Sequence, residues 1–71
     1  MKARTPVPPG ERVYQELRSR MGEWGPGDKL PSTTELAGQY QVARQTIARV
    51  YRRLADEKFV EVVPRWGTFR L

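Results

Sequence analysis

Arginine and glutamine side chains recur along one side of residues 42–54, a stretch whose pattern predicts a helix. At about 100° per residue, a helix brings Gln45, Arg49 and Arg52 together, with Arg44 at the flank of its first turn. This side carries no acidic residue, whereas a solvated helix face usually mixes both charges. Arginine can bind O6 and N7 of guanine with two hydrogen bonds, and glutamine can bind N6 and N7 of adenine in the same way. The pattern therefore favours a surface that approaches phosphates and base edges.

The opposite side of the same stretch is apolar. Ile47, Val50, Tyr51 and Leu54 follow one another at intervals that place them in a single stripe on a helix. This stripe must pack against a core. A helix packed in this way holds its basic side outward, toward a partner.

The composition argues against catalysis and for a polyanionic partner. The chain of 71 residues contains neither histidine nor cysteine, so it lacks the common general base, thiol nucleophile and zinc ligands. A chain of this length forms one small domain with little room for a walled cleft. We therefore expect no enzyme activity, no metal site and no cofactor. The 13 basic and 8 acidic residues give a net charge of +5, which favours nucleic acid first and an anionic membrane surface second.

The sequence carries no signal for membrane insertion or export. No apolar run approaches the roughly 18 residues that span a bilayer, and the N-terminus lacks the apolar core of a signal peptide. We expect a cytoplasmic protein associated with the nucleoid. Residues 1–9 contain three prolines, together with Lys2 and Arg4, and predict a disordered arm. Alternatively, this arm lies along a DNA backbone or enters a minor groove. Residues 10–71 then form the folded domain.

Two further helices are predicted before the basic one. An apolar stripe predicts the first over residues 10–23, ended by the glycines and proline of residues 22–27. Ser32 and Glu35 have the spacing of a capping box and predict the start of a short second helix. A tight turn at residues 41–42 leads into the basic helix. Two helices joined by a short turn, with the second basic on its exposed side, are the ingredients of a helix-turn-helix.

The C-terminal residues predict a β-hairpin. Residues 59–63 form a β-branched run, residues 64–67 supply a turn, and residues 68–71 form a second short strand. Because a two-stranded hairpin is marginal alone, it must pack on the helices, and its tip would project Arg65 and Trp66 as a wing. Two roles stay open for Trp66, which could cap the small core or contact a sugar-phosphate backbone.

The order of these motifs resembles the DNA-binding domain of GntR-family transcriptional regulators. The resemblance rests on residues 25–32 (GPGDKLPS), 35–37 (ELA), 42–47 (VARQTI), Leu54 and residues 67–69 (GTF), and it extends from about residue 11 to residue 71. It implies an α+β fold, a small winged helix-turn-helix with three helices and a C-terminal two-stranded hairpin.

The resemblance also implies how such a domain meets DNA. A pair of domains binds palindromic operator DNA, with the recognition helix, residues 44–57, in the major groove and the wing, residues 64–67, at the minor groove. Arg44 matches an arginine that reaches a guanine or an adjacent phosphate, Thr46 matches a phosphate-contacting position, and Ser32 matches a helix cap beside the DNA. Gly67 matches the wing glycine that lets the backbone approach the minor groove. With the residues of the basic helix face, the predicted DNA-binding set is Ser32, Thr33, Thr34, Arg44, Gln45, Thr46, Arg49, Arg52, Arg65 and Gly67.

The sequence departs from the family pattern at three positions. The residue before Arg44 is usually serine or threonine, but Ala43 cannot cap the helix, which should cost about 1 kcal/mol. Arginine commonly stands where this chain has Ala48, and often where it has Thr34. These departures affect contacts that set operator preference, so no consensus operator is transferred.

We expect a sequence-specific regulator that binds double-stranded DNA. Repression by occlusion is favoured over activation, because the sequence offers no further domain to recruit polymerase. It also contains no effector-binding, dimer-forming domain, so we expect a monomer in solution that pairs on DNA. One alternative is an architectural or recombination accessory DNA-binding protein. Another is a winged-helix protein-interaction module, which would keep its partner after charge reversal of Arg44 and Arg49.

Overall fold

The computed structural model describes residues 8–71, which form three α-helices and a two-stranded sheet. The elements in chain order are α1 (Pro9–Ser19), a 3₁₀ turn (Met21–Glu23), α2 (Thr33–Tyr40), α3 (Arg44–Asp56), β1 (Val60–Val63) and β2 (Gly67–Arg70). The predicted α+β winged helix-turn-helix is therefore confirmed. The arm predicted for residues 1–9 lies outside the described residues, except for Pro8 and for Pro9, which already begins α1. Within residues 8–71, the helices are all too short and too polar to cross a membrane.

The first helix is shorter than its apolar stripe predicts. It ends at Ser19, and the Arg20 amide donates to the carbonyls of both Glu16 and Leu17 as the chain tightens into the 3₁₀ turn. The stripe runs on across this change, because Met21 in the turn is buried like Leu17 before it. The helix predicted over residues 10–23 is thus wrong in its C-terminal turn.

The second and third helices form the predicted helix-turn-helix. The capping box is present, since the Glu35 amide donates to Oγ of Ser32 over 3.1 Å and the Ser32 amide donates to the Glu35 carboxylate over 3.0 Å. Gln41 ends α2 with a left-handed φ of 57°. Ala43 precedes α3 without any side-chain cap, as expected for alanine. The recognition helix ends at Asp56, one residue before its predicted end at 57.

The hairpin is antiparallel and is anchored to the loop before α2. Strand β1 pairs with β2 in a register that places Val60 opposite Arg70 and Val63 opposite Gly67. The loop also pairs with β2 at an isolated antiparallel bridge. The Leu30 amide donates to the Thr68 carbonyl, and Lys29 lies opposite Phe69. This pairing fixes the base of the wing on the body of the domain.

A single core joins the three helices to the wing. Its apolar side chains come from the three helices, the 3₁₀ turn, the loop before α2 and β1, and Thr68 of β2 is also buried. Trp24 and Tyr40 are partly buried and pack against the core. The core consists of Val13, Tyr14, Leu17, Met21, Leu30, Leu36, Ala37, Ile47, Val50, Tyr51, Leu54 and Val60.

Candidate nucleic-acid interface

The outward face of α3 carries a row of uncommitted polar side chains. Arg44, Gln45, Arg49 and Arg52 are all exposed, because the apolar stripe of the helix is turned into the core. None of the four makes an ion pair or a side-chain hydrogen bond with any described residue. The next acid on this face is Asp56, one turn beyond Arg52 at the end of the helix. The face can therefore offer its full donor capacity to an anionic partner.

Thr46 lies at the edge of this face. The residue is half-buried, and a Cβ atom placed on Gly10 would lie 3.7 Å from Cγ2 of Thr46. Its methyl group thus faces the start of α1, on the flank opposite the one that meets the wing. Thr46 borders the basic face on the α1 side, whereas Arg44 borders it on the wing side.

The start of α2 presents two backbone amides. The side chain of Ser32 is engaged as the helix cap, so its hydroxyl already accepts from the Glu35 amide. The amides of Thr33 and Thr34 have no partner among residues 8–71, as is usual in the first turn of a helix. The partial positive charge of the helix start adds to these donors.

The wing tip is a tight turn with an uncommon backbone. The Trp66 amide donates to the Val63 carbonyl over 3.0 Å, with Pro64 second in the turn and Arg65 third, at a left-handed φ of 71°. Gly67 follows with φ of 125°. Both Arg65 and Trp66 are exposed, and Trp66 is 72% exposed, which excludes the role of capping the core. Arg65 makes no ion pair with a described residue.

Two grooves connect α3, the start of α2 and the wing. The helix–wing groove, of about 610 Å³, is lined by Ala48 and Arg52 on α3, by Val62 on β1 and by Thr33. The wing-tip groove, of about 400 Å³, is also lined by Thr33 and Val62 and continues to Arg65. The shared lining residues make the two grooves contiguous. The basic face, the first turn of α2 and the wing tip therefore lie along one side of the domain.

Lys29 is a basic residue of this side that sequence reasoning missed. It lines the wing-tip groove with Ser32 and Arg65, and its aliphatic stem packs over Gly67. A Cβ atom on Gly67 would lie 2.8 Å from Cε of Lys29, so a larger residue there would displace the end of the lysine side chain, and the φ of 125° favours glycine. In the sequence, Lys29 is a single basic residue in a loop. A loop has no helical or strand periodicity from which the direction of its side chain could be predicted.

Arg53 is directed away from this side. Its guanidinium donates to the Glu11 carboxylate over 2.9 Å and lies 3.6 Å from the centre of the Tyr14 ring. Hydrogen bonds from Gln15 and Arg53 hold the pKa of Glu11 below its ordinary value. Arg52 and Arg53 are adjacent in the sequence, but the structure directs them to different surfaces. Arg53 ties α3 to α1.

Residues 8–71 contain no cluster of three His, Cys, Asp or Glu side chains that could hold a metal ion. The tyrosine hydroxyls in the core serve the fold, since Tyr51 donates to the Pro31 carbonyl and Tyr14 donates to the Glu57 carboxylate. Burial raises the pKa of Tyr51, which keeps its hydroxyl protonated as a donor.

Comparison with known proteins gives one consistent result. The sequence profile of the family described as "Bacterial regulatory proteins, gntR family" matches residues 9–69. The HTH-type transcriptional regulator Rv1152 of Mycobacterium tuberculosis is 40% identical over 72 residues, a match that spans 93% of this chain and 60% of the relative. The histidine utilization repressor of Klebsiella aerogenes is 38% identical over 66 residues, which span 90% of this chain and 27% of the relative. The chain thus spans less than two thirds of the length of either relative.

The fold is also shared with a domain solved on DNA. The AraR DNA-binding domain in complex with operator ORR3 superposes with a TM-score of 0.91 at 27% sequence identity. The match covers 100% of this chain and 88% of the AraR chain.

Proposed function

Because the chain belongs to the GntR family of bacterial regulatory proteins, we propose that it binds double-stranded operator DNA sequence-specifically and regulates transcription as a repressor. The observation that carries this proposal is the row of free arginines on α3, continuous with the first turn of α2 and the wing tip. A duplex that occupies this side prevents polymerase from using the same DNA. This function places the protein in the cytoplasm, on the nucleoid, and requires no enzymatic activity.

The α3 face supplies base readout in this proposal. Arg44, Gln45 and Arg49 are the exposed side chains nearest the start of the helix, which is the part that enters a major groove in helix-turn-helix proteins. Arginine reads guanine and glutamine reads adenine through paired hydrogen bonds. Arg52 lies one turn further along and beside the helix–wing groove, where it contacts phosphate and adds affinity without sequence preference.

The start of α2 holds a backbone phosphate. The free amides of Thr33 and Thr34 and the helix dipole together suit an anion. Ser32 contributes indirectly, because its cap fixes the direction of these amides. Thr46 contacts the phosphate backbone from the other edge of the basic face.

The wing contacts the minor groove. Arg65 projects from its tip, Gly67 keeps the backbone close to the DNA, and Lys29 adds a phosphate contact in the groove between the wing and α2. Arginine is suited to this position because the negative potential of a narrow minor groove attracts it.

We further propose that two domains occupy a palindromic operator, with a monomer in solution and pairing assisted by DNA. Two-fold symmetric operators are the usual counterpart of helix-turn-helix pairs. Sedimentation without DNA is expected to give a monomer at micromolar concentration, and a tight dimer under those conditions would contradict this part of the proposal.

The direct test is selection of preferred sites from a randomised duplex pool at about 0.15 M salt. An enriched palindrome of defined spacing supports sequence-specific regulation. Retention without enrichment would support an architectural role instead. Failure to retain any duplex would overturn the proposal and favour docking of the basic helix on a protein.

A matched pair of variants makes the selection decisive. Charge reversal in Arg44→Glu with Arg49→Glu should reduce binding to the enriched site by at least about 100-fold, since two base contacts are replaced by repulsion. The control is Arg18→Glu with Arg53→Glu, which makes the same change of charge on arginines engaged with Phe59 and Glu11. Equal losses in two proteins that both remain folded by circular dichroism at the assay temperature would mean that net charge, and not this face, determines binding.

A further inference from the structure

The most exposed large apolar side chain among the described residues is at the tip of the wing. Trp66 is 72% exposed, against 49% for Val62 and 48% for Leu71. The side chain of the other tryptophan, Trp24, packs against the core and lies beside Arg20. An indole carries one of the largest apolar areas of any side chain, so leaving it in water forfeits substantial stabilisation from burial. This exposure points to a partner that covers the indole.

The backbone holds Trp66 in a fixed position. Its amide is bonded to the Val63 carbonyl, Pro64 restricts the turn before it, and Gly67 after it lies under the stem of Lys29. Tryptophan itself has only two rotatable side-chain bonds, so little conformational entropy is lost when it is bound. A side chain presented in this way is suited to insertion into a narrow space.

The surroundings of Trp66 favour a negatively charged partner. Arg65 precedes it, Lys29 lies in the adjoining groove, and among the described residues that line the wing-tip groove none is acidic. The same groove continues through Thr33 to the basic face of α3. An apolar side chain flanked by cations is the arrangement with which architectural proteins enter a minor groove and separate neighbouring base pairs.

We propose that Trp66 enters the minor groove of bound DNA as an apolar wedge, partly unstacks one base step and bends the duplex toward the major groove. This inference rests on the proposed function, because it needs the domain to bind a duplex with the wing at the minor groove. Beyond that function, it assigns to the wing the bending of the bound DNA. The sequence preference of the wing then comes from how easily a base step opens, and flexible pyrimidine–purine steps are favoured.

The test combines three readings on one duplex. The duplex is the one that selection enriches or, if none is enriched, a mixed-sequence duplex of the same length. Donor and acceptor dyes at its ends report the bend, 2-aminopurine at the wing position reports unstacking, and the protein carries Trp24→Phe so that tryptophan emission comes from Trp66 alone. We expect a bend of about 20–90°, brighter 2-aminopurine and a shift in Trp66 emission on binding.

Substitutions at the tip separate a wedge from a surface contact. In the protein with the native Trp24, Trp66→Ala should weaken binding by about 5- to 100-fold, the range for loss of a stacked aromatic side chain, and should straighten the DNA. Trp66→Phe should retain part of the bend. Leu71→Ala is the matched control. It removes an exposed apolar side chain at the end of the helix–wing groove away from the turn, and it should change affinity less than about twofold. Because both side chains are exposed, neither alanine variant should lower the melting temperature appreciably.

The outcomes distinguish this inference from the proposed function. If the native protein binds no duplex, the proposed function fails and the wedge fails with it. If it binds but Trp66→Ala leaves the bend and the 2-aminopurine signal unchanged, the wedge is wrong and the function stands. If Trp66 emission shifts while the DNA stays straight and stacked, the indole contacts only the backbone, and the inference is overturned.

Discussion

Arg52 and Arg53 are neighbours in α3, yet they belong to two different surfaces. Arg53 is engaged within the protein, by Glu11 and by the ring of Tyr14, as Arg20 is by Glu23 and Tyr40. Arg52 has no such partner among residues 8–71 and lies beside the helix–wing groove with the open arginines of the basic face. We call the two groups the engaged arginines (Arg18, Arg20, Arg53 and Arg70) and the open arginines (Arg44, Arg49, Arg52 and Arg65). Arg12 is also exposed, but it lies on α1 and belongs to neither group.

The two groups differ in whether their charges make contacts within the folded domain. The engaged arginines hold elements together through ion pairs, hydrogen bonds and stacking on aromatic rings. The open arginines add repulsion and no described internal contact, so folding alone does not explain them. They lie together on one side of the domain, where binding of a polyanion is proposed to offset their mutual repulsion.

Arg44→Ala should give the largest effect among single substitutions of the open group. We expect a loss of roughly 1–3 kcal/mol on the preferred site and loss of discrimination at one base pair, because arginine reads guanine with two hydrogen bonds. Binding curves against a panel of single-base variants of the site measure both quantities. Arg18→Gln, which removes one charge from the engaged group, should preserve the discrimination. A uniform loss across the panel would show that Arg44 contacts phosphate only.

The pair Arg52→Gln and Arg53→Gln tests the division most directly. Arg52→Gln should weaken binding to all sequences alike and make the slope of log affinity against log salt shallower by about 0.9, the value for one lost phosphate contact. Arg53→Gln should leave that slope unchanged and lower the melting temperature, since it breaks the contact between α3 and α1. If the two variants exchanged these effects, the proposed orientation of α3 on DNA would be wrong.

Much of this division could be predicted from the sequence, and the part that could not has a physical reason. The apolar stripe gave the direction of Arg44, Gln45 and Arg49, because a helix with one buried face has only one side left for them. Arg52 and Arg53 both lie within reach of that side. Only the fold shows that Glu11, 42 residues away in the sequence, accepts a hydrogen bond from Arg53.

The fold was predictable to a similar degree. The capping box at Ser32 and Glu35 marked the start of α2 correctly, since both partners are close in sequence. The end of α1 at Ser19 was missed because the buried Met21 continues the stripe through the 3₁₀ turn. Lys29 over Gly67 was missed because a pairing between loop and hairpin leaves no periodic signal.

Arg65→Gly should separate stability from binding at the wing tip. Arg65 is third in a turn that has proline second, the position where a type II turn favours glycine. Relief of the left-handed conformation is partly offset by the entropy of glycine, so we expect a gain in unfolding free energy of up to about 1 kcal/mol. DNA binding should weaken at the same time. Chemical denaturation and salt-dependent binding measure the two effects.

The control for Arg65→Gly is Gln41→Gly, at the left-handed end of α2, where φ is 57°. It should give a comparable gain in stability without weakening DNA binding, because it removes no cation. If Arg65→Gly stabilised the protein and left binding unchanged, Arg65 would not belong with the open group.

The smallest expected effect is the acid dependence of the contact between α1 and α3. The pKa of Glu11 lies below its ordinary value because Gln15 donates to it over 2.8 Å and Arg53 over 2.9 Å. A carboxylate with a lowered pKa in the folded state stabilises that state fully above its unfolded pKa of about 4.3. This stabilisation is lost as the pH falls through the folded pKa, so acid should weaken the contact.

Carboxyl carbon shifts of Glu11, followed by NMR between about pH 2 and 6, measure this pKa. Gln15→Ala and Arg53→Gln should each raise the pKa of Glu11, because both side chains donate to its carboxylate and Arg53 also supplies a positive charge. Arg52→Gln, at the neighbouring open arginine, should leave it unchanged, because Arg52 makes no contact with Glu11. A pKa of Glu11 that responded to Arg52 and not to Arg53 would place the wrong arginine in the engaged group, and the division of charges drawn from α3 would fail.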